Sequence, residues 1–181
     1  LIRLVREKFI SPKLAEEIRV KDIDKFLNSK LFKLMYETEF LKREFRFNCS
    51  LDAKRFAEDA DIKRKLAESG TKITVQGVVD CILRVPDGEN ILDDSKNFEE
   101  KDEYTELDKG SKNAGKLVII DYKTDLIPNE LVYELQKLTD WCKARHGGQL
   151  EIYRELCERI FEERIEKKFI YLTRLGRLIE I

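Results

Sequence analysis

At 181 residues and 21.4 kDa the chain has the size of one globular domain, with little room for a second. Apolar residues make up 42%, enough to bury a core, and 35 basic side chains against 36 acidic ones leave a net charge of −1, which excludes a disordered chain and a basic nucleic-acid-coating one. No apolar run approaches the ~20 residues of a bilayer span, and charges interrupt Leu1-Ile2-Arg3-Leu4-Val5-Arg6 where a signal peptide stays apolar, so the chain is expected to be cytoplasmic, with no membrane contact.

The opening lacks Met and lies in helical-looking sequence, as expected of a segment of a longer polypeptide. From Ser11 to Tyr36 the pattern is helical: Ser11-Pro12 is a cap followed by proline at the first helical position, and Ile23, Phe26, Leu27, Leu31, Leu34 and Met35 recur at helical spacing. Residues 39–47 then alternate as a half-buried strand does. Residues 53–69 are charged and helical in character, ending at Gly70.

Residues 71–85 are rich in β-branched side chains and stop at the turn signal Pro86-Asp87-Gly88. Another strand spans Lys116 to Lys123. Between them, 93–112 is dominated by Asp, Glu and Lys and reads as a flexible excursion from a hairpin. Pro128 is expected to open a helix carrying Leu131, Leu135, Leu138 and Cys142, and Gly147-Gly148 to end it. A second helix follows with Leu150, Tyr153, Leu156, Cys157, Ile160 and Phe161 on its core side. Two strands, 168–173 and 177–181, finish the chain. This order describes an α/β sandwich with a central mixed β-sheet flanked by helices.

Cys49, Cys81, Cys142 and Cys157 form no Cys-x-x-Cys pair and sit among apolar neighbours, which reads as small buried hydrophobes in a reducing compartment. The only histidine, His146, falls in the expected helix break, so chemistry resting on imidazole is disfavoured. No Gly-x-x-x-x-Gly-Lys-Ser/Thr loop is present, so no ATP site is expected in this segment.

The informative feature is Asp121-Tyr122-Lys123 at the end of the apolar run Leu117 to Ile120. Strand alternation puts Asp121 and Lys123 on one face and Tyr122 on the other. A hairpin could bring Asp80, at the end of Gly77-Val78-Val79, beside Asp121. Two adjacent carboxylates repel unless a cation lies between them, and oxygen-only ligation with room for water suits Mg²⁺, with Mn²⁺ as an alternative. Lys123 would then face a metal-bound water, an arrangement suited to phosphodiester hydrolysis. Alone, an Asp-x-Lys on a strand is most often a surface pair.

The ordered set Gly77-x-x-Asp80, Asp121-x-Lys123 and Gln149-x-x-x-Tyr153 resembles the PD-(D/E)XK nucleases of the RecB type. With Arg43-Glu44-Phe45-Arg46-Phe47 and Asp121-Tyr122-Lys123-Thr124-Asp125 it is similar, over 25–181, to the C-terminal nuclease domains of the AddA family of helicase–nuclease proteins.

The resemblance implies a restriction-endonuclease-like sandwich forming one nuclease domain over 1–181. It further implies metal binding by Asp80, Asp121 and the main-chain carbonyl of Tyr122, and Lys123 as the catalytic lysine. Gln149 and Tyr153 would brace the active strand or touch DNA, and Thr124 and Asp125 would shape the strand end. The partners implied are DNA, as single strands delivered by a helicase, and a second, AddB-like subunit, in double-strand-break repair and recombination. Two departures stand out: no histidine precedes Asp80, where RecB-type nucleases usually carry one, and the acidic insert lies outside the core pattern. The missing histidine leaves open a catalytically silent copy of the fold that guides DNA or docks a partner.

Overall fold

The computed structural model describes residues 1–92 and 115–181. The expected acidic excursion at 93–112 lies outside the described residues. Five strands form one sheet in the order β1 (Leu41–Asp52), β2 (Lys72–Val85), β3 (Lys116–Lys123), β4 (Ile165–Leu172) and β5 (Arg177–Glu180). All neighbours are antiparallel except β3 and β4, which run parallel and are joined by the long helix α6 (Leu135–Phe161). Parallel neighbours need such a crossover because their ends lie at opposite edges of the sheet.

The sheet is apolar on both faces, as the unbroken run Leu117–Ile120 requires. Leu117, Ile119, Ile165 and Ile170 face α6, where they meet Leu138, Cys142, Leu150, Leu156 and Cys157. Val118, Ile120, Phe169 and Tyr171 face the other way, toward Leu31 and Leu34. Those two belong to α4 (Lys30–Glu37), which follows α1 (Ile2–Arg6), α2 (Pro12–Glu17) and α3 (Val20–Leu27). This is the α/β sandwich with a mixed central sheet that the element order implies. Among the described residues no helix is long and apolar enough to cross a membrane.

The expected helix over 11–36 is three helices. Ser11 caps α2 by accepting the Leu14 amide at 3.1 Å, and Ser29 restarts the chain at α4 by accepting the Phe32 amide at 3.2 Å. Two hydroxyl caps in one periodic stretch divide it. Strand β1 runs to Asp52, beyond the expected end at residue 47, because its ladder with β2 continues to Asp52–Lys72. Helix α5 (Ala60–Ser69) ends as expected, with Gly70 in the left-handed conformation at φ 61°.

The helix expected to open at Pro128 begins instead at Leu135. Pro128 accepts the Leu131 amide at 2.9 Å in a short 3₁₀ turn, and Leu135 is exposed. The expected break at Gly147-Gly148 does not occur, because α6 continues through both glycines. Leu138, Cys142, Leu150, Tyr153, Leu156 and Cys157 form one buried stripe across the pair, and that burial outweighs the poor helix propensity of glycine. A Cβ on Gly148 would meet nothing within 4 Å. Gly148→Ala is therefore expected to stabilise the chain by about 0.5–1 kcal/mol, read as a higher urea midpoint at unchanged slope.

Three cysteines are buried. Burial pushes the Cys81 and Cys157 thiols up to about 12 and that of Cys142 up to about 11. Cys49 is only half-buried. A thiol reagent at pH 8 is expected to titrate one cysteine in the native chain and the other three only in denaturant, because the thiolate is the reacting species. Fast labelling of several native thiols would contradict this packing.

Candidate active site

The site forms where β2 and β3 part. Their ladder runs from Val85–Lys116 to Cys81–Ile120 and stops, although both strands continue. The next residues, Asp80 and Asp121, stand across from each other. The Asp80 carboxylate takes the place of a backbone acceptor, with Oδ2 receiving the Tyr122 amide at 2.8 Å. Beyond this point β2 pairs only with β1.

The alternation of faces also inverts here. On β2, Val75 and Val79 pack toward α6, whereas Cys81, Leu83 and Val85 pack toward α4. On β1, Leu41 packs toward α4, while Phe45, Phe47, Cys49 and Leu51 pack toward α6. All are odd-numbered, so strict alternation would keep each strand's set on one face. The register runs Arg43–Cys81 and Phe45–Val79, passing over Glu44 and Asp80, and Glu44 has φ 49°. A left-handed non-glycine residue is costly, and here it lies opposite the first candidate acid, where backbone irregularity turns the strand pair over.

Asp121 is 2% exposed and lies on the α6 side with Leu117 and Ile119. Its enclosed Oδ2 is 2.6 Å from Lys123 Nζ, an ion pair at an angle outside hydrogen-bond geometry. Burial pushes the Asp121 carboxyl above its usual range; the Lys123 ammonium pulls it back, and the charge of Asp80 raises it further. Lys123, 19% exposed at its side chain, also donates to Gln149 Oε1 at 3.1 Å. Gln149 Nε2 in turn donates to Tyr153 Oη at 2.6 Å. The i, i+4 spacing on α6 makes this possible. The Lys123 carbonyl accepts both the amide and the hydroxyl of Thr173 at 3.0 Å, which ties the end of β3 to β4.

The structure thus brings Asp80, Asp121, Lys123, Gln149 and Tyr153 into one continuous set. The Tyr122 side chain turns to the opposite core and packs edge-on against Phe26 at 5.6 Å and Tyr171 at 6.0 Å. Thr124 contributes its carbonyl to Arg174 Nε at 3.0 Å. Asp125 is bracketed by Arg145 Nε at 3.1 Å and His146 Nε2 at 3.3 Å.

His146 is the residue that sequence reasoning set aside. It stands one helical turn before Gln149, half-buried against Trp141 at 6.2 Å between ring centres. Burial holds its imidazole below the usual range, against the opposing pull of Asp125, and it feels the charges of Lys123 and Asp121. The spacing His146–Gln149–Tyr153, at i, i+3 and i+7, was the available signal, and it was hidden by the supposed break at the glycines.

The candidate donors for a cation are oxygens: two facing carboxylates, one of them with an enclosed oxygen. Among the described residues no cluster of three or more His, Cys, Asp or Glu side chains forms a ligand set. Two acids supplemented by a main-chain carbonyl fit a hard ion that keeps much of its water, which is the habit of Mg²⁺.

A mixed sheet with helices on both faces and an acid pair at its parting strands defines a restriction-endonuclease-like α/β sandwich, consistent with nucleases of the RecB type. The chain is homologous to the ATP-dependent helicase/nuclease protein AddA, matching its C-terminal part. No family model matches the chain. The AddA protein of Thermoanaerobacter sp. (strain X514) is 26% identical over 98% of this chain and 11% of its own length. Its namesake in Geobacillus thermodenitrificans is 25% identical over 94% of this chain and 11% of its own length. In Bacillus thuringiensis (strain Al Hakam) the values are 24%, 98% and 12%. The chain therefore spans about one ninth of the length of these relatives.

Proposed function

We propose that the chain is the nuclease module of a helicase–nuclease, a Mg²⁺-dependent PD-(D/E)XK deoxyribonuclease that hydrolyses phosphodiester bonds as an exonuclease in double-strand-break repair and recombination. The observation that carries this reading is the opposition of Asp80 and Asp121 at the parting of β2 and β3, with Lys123 2.6 Å from the more buried acid. Asp80, Asp121 and the Tyr122 carbonyl would hold the ion. When bound, it supplies Lewis acidity and a water of lowered pKa.

Lys123 presents an ammonium to the charge that develops on phosphate oxygens in the transition state. Gln149 and Tyr153 hold that ammonium in place, and the two hydrogen bonds from Thr173 fix its backbone. The net charge of −1 gives no concentrated basic track for autonomous DNA binding, which suits a module to which single strands are delivered by a motor. A second, AddB-like subunit completes that picture.

The silent-scaffold reading is favoured by one observation, the absence of a third ligating side chain among the described residues. Calorimetric titration with Mn²⁺ separates the two. The nuclease reading expects one stoichiometric site that Asp80→Asn weakens by about 10- to 100-fold or more, together with Mg²⁺-dependent degradation of labelled single-stranded DNA. A chain with neither property is a scaffold.

A further inference from the structure

Gly77 is the cross-strand partner of Phe47, and it lies three residues before Asp80 on β2. A Cβ at position 77 would penetrate the Phe47 ring, with Cε1 at 2.8 Å and Cζ closer still. The glycine is thus a socket for the tip of that ring. Gly77 is not a turn glycine, because its φ is outside the left-handed region and its neighbours continue the ladder.

The other side of the ring meets Tyr153, 5.5 Å between centres at an interplanar angle of 76°. Phe47 is 7% exposed and Tyr153 8%, so neither ring can swing into solvent. Tyr153 Oη holds Gln149, Gln149 holds Lys123, and Lys123 holds Asp121. Side chains in a close-packed interior transmit displacement because no free volume absorbs it.

We infer that Gly77 and Phe47 are positioning residues for Lys123, acting through Tyr153 and Gln149; this rests on the nuclease reading for its catalytic meaning and on the contacts alone for its structural one. Filling the socket pushes the Phe47 ring against Tyr153 and shifts the Gln149 amide that holds the ammonium. Phe47 and Gly77 touch neither DNA nor metal in this scheme.

The test uses the 181-residue chain and three variants. Gly77→Ala is expected to lower kcat for single-stranded DNA about 10- to 100-fold with KM changed less than about twofold, as a small misplacement at a reacting centre does. Leu51→Ala removes core packing from the same strand outside this chain of contacts. It is expected to lose stability and keep kcat, assayed well below its melting temperature. Gly77→Ala with Phe47→Leu shortens the ring out of the socket, so stability returns while kcat stays low because Tyr153 has lost its support.

Recovery of kcat in that double variant, or an equal loss of kcat in Leu51→Ala, would overturn the inference in favour of a packing role. NMR of the Gln149 side-chain amide decides independently of activity. Its resonances are expected to move in Gly77→Ala and to stay in place in Leu51→Ala, and unmoved resonances in Gly77→Ala overturn the coupling. Moved resonances in a chain that does not cut DNA would uphold the coupling and sink the nuclease reading.

Discussion

Asp121→Asn is expected to abolish metal-dependent cleavage, by about 10³-fold or more, and at the same time to raise the melting temperature of the metal-free chain at neutral pH. The first effect follows from removing one of two carboxylates that would hold the ion. The second follows from burial, which lifts the Asp121 carboxyl above its usual range despite the Lys123 ammonium. A carboxyl raised on folding binds its proton more tightly in the native state than in the unfolded chain, where its pKa is about 3.9.

Between that value and the raised native one the folded state holds more protons, so stability falls as pH rises through the window, and the full penalty persists above it. Asparagine has the same shape and no such penalty. In EDTA the variant and the parent should therefore melt together in acid and separate as pH rises, reaching a plateau of roughly 2–4 °C for a gain of about 1 kcal/mol in a chain of this size. A gap independent of pH would mean that the stability change has another cause. Undiminished cleavage would remove Asp121 from the site. The combination of lost activity and gained stability is what a site strained for chemistry shows, and a purely structural aspartate does not.

Lys123→Met is expected to cost both activity and stability. Catalysis should fall by about 10²- to 10³-fold in kcat, the range seen when one preorganised group facing transition-state charge is removed. Stability should fall by about 3 kcal/mol, because Asp121 is left buried without its countercharge at 2.6 Å. The two losses separate in the double variant: Asp121→Asn with Lys123→Met removes both charges and should recover most of the stability and none of the activity. Chemical denaturation of the four proteins of this cycle measures the coupling directly. Additive stabilities would show that the pair is not coupled in solution, and a Lys123→Met variant with parental kcat would make the lysine a structural partner only.

The strands around the site were legible because each carried its own punctuation. The run Leu117–Ile120 ending in Asp121-Tyr122-Lys123 declares a buried strand with a charged tip, and Pro86-Asp87-Gly88 closes β2. Alternation placed Asp121 and Lys123 together and sent Tyr122 to the other core, where it packs with Phe26 and Tyr171. The Gln149–Tyr153 pair was legible from helical spacing, and its hydrogen bond is made. The inversion of faces at Glu44 and Asp80 was not. It depends on a left-handed glutamate, a residue type that gives no local warning of that conformation, and it is recognised only from which core each flanking side chain reaches.

The amino-acid sequence by itself determined the strands, the hydroxyl caps of the first helices, the buried cysteines and the identity of the acids and the lysine, because periodicity, capping and turn chemistry act within a few residues. Tertiary structure alone decided that α6 runs unbroken through Gly147-Gly148, that His146 stands beside the Asp125 bracket, and that Phe47 rests in the socket of Gly77. Those outcomes turn on burial against the sheet. A side chain's burial depends on partners dozens of residues away, and local propensities of about 1 kcal/mol yield to it.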